Sequence, residues 1–176
     1  EDEAALKRQL SDIEVTISYE NGVQQVFLNG ENVTGLIRTE QVSDMTSRSS
    51  AKPQVREKLT ELQRTLAKKE DVLMDGRDNG TMILPDAQLK IFLTASVKTR
   101  AERRYKEQIE KGESCTLEEI ERDIEERDYR DSHRETAPLR QAEDAVLVDS
   151  SDMTIDEVVA AIVALARERM QMATCR

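Results

Sequence analysis

Three short apolar runs separated by long helical patterns constrain this chain more than any other feature. They are Val72 with Leu73 and Met74, the stretch 89–94 (Leu-Lys-Ile-Phe-Leu-Thr), and the stretch 145–149 (Ala-Val-Leu-Val-Asp). Short apolar runs flanked by turn and cap signals read as buried strands. The segments between and after them have helical signatures. Ser96 can cap a helix running to about Lys111, with Gly112 as its stop. Thr116 with Glu119, and again Thr154 with Glu157, form capping boxes that open two further helices. Ile155, Val158, Val159, Ile162, Val163 and Ala166 line one face of the last helix. Strands alternating with helices argue for an α/β fold with a parallel sheet covered on both faces.

The first seventy residues follow another pattern. Residues 1–10 read as the end of a charged helix. Ile13, Val15, Ile17 and Tyr19 then alternate with polar residues and share one face of a strand. Asn21-Gly22 tolerates the positive φ of a tight hairpin turn, residues 25–28 return as a second strand, and Asn29-Gly30 closes it. This predicts an antiparallel hairpin unit reaching to about Thr34. The polar, Ser/Thr-rich stretch 39–51 reads as a loop or a mobile helix start. Pro53 suits a first helical turn, and Val55, Leu59, Leu62 and Leu66 recur at helical spacing, predicting an amphipathic helix over 53–69.

Aromatic residues are only 3% of the chain and Trp is absent, so the core has to be aliphatic. The net charge of −10 argues against a nucleic-acid polymer as partner, because such binding needs a basic face. Local arginine clusters remain free to hold a small anion, since net charge averages over the surface. Cys115 and Cys175 are far apart and suggest neither a disulfide framework nor a metal site. No apolar run approaches a membrane span and no signal peptide is visible, so a cytoplasmic protein is expected.

Charged residues concentrate in three places. Directly after the first apolar run comes 75–81, Asp-Gly-Arg-Asp-Asn-Gly-Thr. Two carboxylates, an arginine and permissive backbone at a strand end suit a phosphorylated ligand, because open α/β sheets bind ligands at the carboxyl ends of their strands. A plain turn with an ion pair is the alternative. Farther on, Arg127, Asp131 and Arg134 fall at i, i+4 and i+7, on one helical face. Two guanidiniums with a carboxylate between them can grip phosphate oxygens and also hydrogen-bond a sugar or base; a solvated salt-bridge face fits the same pattern. Arg100, Arg103 and Arg104 form a third group one helix earlier, so 97–134 reads as a helical flap that closes over phosphates. His133 is the only histidine. There is no triad pattern, no His/Cys spacing for zinc and no GxGxxG motif.

These segments resemble bacterial cytidylate kinases. The resemblance is carried by 75–81 with the following Leu84-Pro85-Asp86-Ala87 and 89–95, by 126–134 with Ala137-Pro138-Leu139, and by 145–150. Upstream, 26–34 and Ile37-Arg38-Thr39 are similar to the monophosphate-binding insert of the same family. The resemblance implies a nucleoside monophosphate kinase with a P-loop-kinase-type parallel sheet flanked by helices, a small monophosphate-binding insert and a helical lid. The corresponding divisions are a monophosphate-binding lobe over 1–70, core strands over 71–96, a lid region over 97–134 and a C-terminal strand and helix over 135–176. The implied reaction moves the γ-phosphoryl group of ATP to CMP or dCMP with Mg²⁺, in pyrimidine nucleotide metabolism. It further implies that Ser47, Arg56, Asp78 and Arg134 read cytosine, and that Arg127 and Asp131 contact the pentose. Arg77 is expected to hold the monophosphate and, with Arg127, to act in catalysis. Arg100, Arg103, Arg104 and Arg130 are the lid candidates for phosphate, and no residue is expected to form a protein metal site. The expected partners are CMP, dCMP and ATP, with no membrane and a monomeric chain.

Two departures from the family stand out. A Gly-rich phosphate loop, GxxxxGK[ST], is expected at the start and does not occur in this sequence. The sequence therefore reads as lacking an N-terminal segment, and a pyrimidine-monophosphate-binding fragment without turnover is the alternative to a complete kinase. Asn79 stands where the family usually carries an apolar residue.

Overall fold

The computed structural model describes residues 3–50 and 52–174, and the chain divides into two compact units, Glu1–Leu73 and Met74–Arg176. The first unit opens with α1 (Glu3–Ser11), followed by an antiparallel sheet of β1 (Val15–Glu20), β2 (Val23–Leu28) and β3 (Glu31–Asn32) in the order β1-β2-β3. Both connections are two-residue turns in left-handed backbone: Asn21 and Gly22 have φ of 52° and 78°, and Asn29 and Gly30 have 50° and 82°. Two successive positive-φ residues give a turn whose twist matches that of the strands, which is why Asn-Gly occurs at each. The turns set the register, Val15 opposite Leu28 through to Glu20 opposite Val23.

Two helices complete this unit, α2 (Glu40–Ser49) and α3 (Pro53–Lys69). α3 has the bounds expected from its apolar spacing, with Pro at its first turn and Lys68 and Lys69 at its last. The stretch 39–51, expected as a loop or mobile helix start, is mostly helix. The Thr39 hydroxyl accepts the Val42 amide at 3.3 Å as N-cap, and Thr46 Oγ1 donates to the Val42 carbonyl at 2.7 Å. The Thr39 cap satisfies an otherwise orphan amide at the start of α2.

The second unit is α/β. Strands β4 (Ile91–Thr94) and β5 (Val146–Asp149) pair in parallel, Ile91 beside Val146 and Thr94 beside Asp149. The same unit holds α4 (Val97–Glu110), α5 (Leu117–His133) and α6 (Ile155–Thr174). Each start follows its sequence signal: Ser96 accepts from the Thr99 amide, and Thr116 with Glu119 and Thr154 with Glu157 form both halves of their capping boxes. Gly112, at φ 77°, ends α4 as its left-handed stop. The buried cluster lies between α4 and α5, where Ala101, Ile120 and Ile124 pack with Val97, Tyr105, Cys115 and Leu117. No helix among the described residues is long and apolar enough to cross a membrane.

Two strand expectations need correction. Residues 72–75 are neither a strand nor buried: they have no regular structure, and Leu73 is 97% exposed. A strand exists only through the neighbour that takes its N–H and C=O groups, and among the described residues no ladder reaches this segment. The parallel sheet is also not covered on both faces. Residues paired side by side share a face, so Leu93 and Leu147 lie on opposite faces, and both are about half exposed.

Candidate active site

The site begins in 75–83. Instead of a simple turn after a strand, the chain makes one π-helical turn over Asn79–Ile83. The Asp78 carbonyl accepts from the amides of Thr81, Met82 and Ile83 at 3.3, 2.8 and 3.3 Å, and the Leu84 amide donates to the Asn79 carbonyl at 2.7 Å. Single π turns concentrate at functional positions. Here the turn anchors on the buried Ile83 and holds Asp78 at only 7% exposure. A Cβ at Gly76 would lie 2.7 Å from Asn79 Oδ1, so any larger residue there forces the Asn79 side chain to shift. Asn79 Nδ2 is buried with no hydrogen-bond partner among the described residues.

The other half comes from the end of α5. Asp131 is 8% exposed and gathers three guanidiniums. Arg77 Nε donates to its Oδ2 in a short hydrogen bond. Arg127 Nε stands 3.8 Å from the same oxygen, one turn back along the helix, and Arg134 Nη1 stands 3.9 Å from Oδ1. Arg134 also reaches the other buried carboxylate, with Nη2 3.8 Å from Asp78 Oδ1. The structure thus brings together Arg77, Asp78, Arg127, Asp131 and Arg134, five residues from two segments, with Arg77 and Asp131 54 positions apart.

At this cluster three guanidiniums stand against two carboxylates. Burial pushes the Arg127 guanidinium below its ordinary value, and the neighbouring charges of Arg77, Arg104 and Arg130 push the same way, while Asp131 opposes them. Burial is the first cause of this depression, and the neighbouring guanidiniums add to it. Such a cluster is suited to an anion with several oxygens, because guanidinium forks match phosphate bidentately.

The remaining predicted residues are placed differently. Arg100 forks onto Asp128, Nη1 to Oδ1 at 3.0 Å and Nη2 to Oδ2 at 2.5 Å, and its Nε donates to the Ala95 carbonyl at 3.0 Å. Arg103 Nη2 donates to the Ser150 and Met153 carbonyls at 2.6 and 3.1 Å. Both arginines therefore brace α4, one against α5 and the other against the loop after β5. Arg104 and Arg130 are exposed; Arg130 Nε donates back to the Glu126 carbonyl at 3.3 Å. Ser47 and Arg56 belong to the first unit. Arg56 sits in the first turn of α3 with Nη1 donating to the Ser50 carbonyl at 3.4 Å, whereas the side chain of Ser47 lies outside the described residues.

One residue of this region escaped the sequence reading. Ala137 is 5% exposed, has φ of 51°, and its carbonyl accepts from Arg134 Nε at 2.6 Å. Alanine carries no pattern for such a backbone; the one available signal is that Pro138 follows it and excludes a continuing helix.

A family model described as cytidylate kinase matches residues 1–168. The chain belongs to the cytidylate kinase family. It is 47% identical to a cytidylate kinase of Lactobacillus johnsonii over 170 residues, 97% of this chain and 74% of that protein. It is 50% identical to a cytidylate kinase of Ligilactobacillus salivarius over 169 residues, 96% of this chain and 75% of the other. With a Streptococcus pneumoniae cytidylate kinase the identity is 53% over 151 residues, 86% of this chain and 68% of that protein. Family membership agrees with the α/β class and the parallel pairing of β4 with β5.

Proposed function

We propose that the protein is a nucleoside monophosphate kinase that transfers the γ-phosphoryl group of ATP to CMP or dCMP, giving CDP or dCDP. Besides family membership, the observation that supports this reading is the Asp131 hub, a buried carboxylate among three guanidiniums beside a second buried carboxylate, Asp78. Phosphoryl transfer asks the protein mainly for positioning and for neutralisation of charge on the transferring group. Arg77 and Arg127 supply that charge, with Arg77 on the acceptor phosphate. Asp131 orients them and, with Arg127, meets the pentose. Asp78 and Arg134 read the base: a carboxylate accepts from the exocyclic amine of cytosine, and a guanidinium donates to its ring acceptors.

Arg104 and Arg130, both exposed, remain the lid residues proposed for phosphate. For Ser47 and Arg56 a cytosine contact rests on the family resemblance alone, as do the lobe role of 1–70 and the lid role of 97–134. Asp78 and Asp131 face guanidiniums and so do not offer the open oxygen set that Mg²⁺ takes. The ion fits this reading as a companion of the ATP phosphates and not as a ligand of this cluster. We place the protein in the cytoplasm as a monomer.

The test combines calorimetric titration with CMP and a coupled ATP/CMP phosphorylation assay, on the chain and on Arg127→Ala. CMP should bind the chain, and the substitution should weaken binding or turnover with little change in thermal unfolding. Loss of a transition-state arginine is worth roughly 10³–10⁵ in rate in related chemistry. Failure of CMP to bind, or an Arg127→Ala protein that binds and turns over CMP normally, would sink the reading.

A further inference from the structure

Arg134 is aimed by backbone rather than by a side chain. Its Nε donates to the Ala137 carbonyl at 2.6 Å, which leaves Nη1 and Nη2 directed at Asp131 and Asp78 from 3.9 and 3.8 Å. Those separations suit ion pairs but exceed hydrogen-bond length, so the outer edge of the guanidinium is oriented without being bonded to either carboxylate.

The carbonyl that does the aiming sits in unusual backbone. Ala137 has φ of 51°, in the left-handed region that residues with a Cβ seldom enter, and it is buried immediately before Pro138. The surrounding loop is tied down at both ends. The Arg134 amide donates to the Arg130 carbonyl at 3.1 Å, ending α5, and the Leu139 amide returns to the Asp131 carbonyl at 2.7 Å. Sparsely populated backbone at a site is tolerated where the surroundings over-determine it, and it points to a local role.

We propose that Ala137 is a positioning residue for Arg134, its left-handed conformation turning the 137 carbonyl onto Nε so that the guanidinium presents its terminal nitrogens to the pyrimidine base of the acceptor. The inference rests on the reading of the site as a CMP site, and it adds a residue whose contribution is backbone conformation. The size of side chain at 137 then matters through φ. Glycine keeps the left-handed conformation at little cost, whereas β-branched valine is driven out of it.

The experiment compares CMP affinity by calorimetry for the wild-type chain, Ala137→Gly, Ala137→Val, Arg134→Ala and the double variant Ala137→Val/Arg134→Ala. Glycine should remain within about threefold of wild type and valine should weaken CMP about tenfold or more, the size of one lost oriented hydrogen bond to a charged group. In the Arg134→Ala background the valine should change CMP affinity less than twofold, because residues acting through one another are non-additive. Full additivity, or equal CMP affinity for valine and wild type, overturns the proposal. A second readout is independent of how the valine variant folds. The Arg134 Nε proton of the wild-type chain, identified by its loss in Arg134→Ala, should exchange slowly with solvent. Rapid exchange there overturns the proposal. No CMP binding by wild type overturns the kinase reading and the inference together, whereas normal wild-type binding with an inert valine substitution overturns the inference alone.

Discussion

Replacing Asp131 by Asn keeps the shape of the side chain and removes its charge, which isolates the electrostatic role of the hub. The amide oxygen can still accept from Arg77 Nε, but its NH₂ group then faces Arg134, donor against donor. The Arg77 contact stays a hydrogen bond from a charged donor and loses only its ion-pair part, which at a side chain 39% exposed is worth about 0.5–1 kcal/mol. The two ion pairs at 3.8 and 3.9 Å are discounted for solvent, since the Arg127 side chain is 44% exposed and that of Arg134 21%. Each then contributes about 0.5–1 kcal/mol. The total is about 1.5–3 kcal/mol, or a fall in Tm of roughly 3–12 °C for a chain of this size. The assay is thermal unfolding at low salt, with and without millimolar inorganic phosphate. Without Asp131 the guanidiniums lack their buried counter-charge, so phosphate should raise the Tm of Asp131→Asn more than that of wild type. CMP, by contrast, should bind the variant more weakly. A Tm within a degree of wild type, or a loss that phosphate does not partly restore, would refute the reasoning that Asp131 balances an anion-binding arginine cluster.

Three shorter predictions follow from other contacts. Asp78→Ala should raise the KM for CMP by at least an order of magnitude while leaving that for ATP nearly unchanged, since a lost charged hydrogen bond has that size; equal changes for both nucleotides would contradict the assignment of Asp78 to the base. Gly76→Ala puts a Cβ 2.7 Å from Asn79 Oδ1 and should lower Tm; Asn79→Ala in the same chain should recover most of that loss, and strict additivity of the two Tm shifts would contradict the packing account. Lys90 Nζ hydrogen-bonds both oxygens of Asp144 at 2.8 Å and holds its carboxyl below the ordinary value of 3.8. The stabilisation is complete above that value and is lost as pH falls below it through the lower folded-state pKa. Between neutral pH and about pH 2.5, wild type should lose more Tm than Lys90→Met, and parallel curves would show the pair to be inert.

What could be read from the residues was what depends on near neighbours. Asn21-Gly22 and Asn29-Gly30 specify left-handed turns by themselves, so the hairpin was legible, although its second strand begins at Val23 rather than at residue 25. Pro53 with Val55, Leu59, Leu62 and Leu66 defined α3, and the Ser96, Thr116 and Thr154 caps marked where helices start, because a cap and its partners lie within one turn. The i, i+4, i+7 spacing put Arg127, Asp131 and Arg134 on one face, although Arg134 proves to be the residue that ends α5, with extended backbone at ψ 141°. The same local logic failed at 72–75, where apolar composition suggested a buried strand but strand pairing depends on a distant partner.

The sequence alone determined the two Asn-Gly turns, the starts of α3 to α6, the α/β class and the family resemblance. Only the tertiary structure decided that Arg77 meets Asp131 across more than fifty positions, and that Arg100 and Arg103 brace α4 while Arg104 and Arg130 add charge beside Arg127. It alone placed Ala137 in the left-handed region with its carbonyl on Arg134. The division has a physical cause. Short-range hydrogen bonds and backbone preferences are written in adjacent residues, whereas the partner of a long guanidinium depends on which helix and loop ends the fold carries to within a few ångströms of each other.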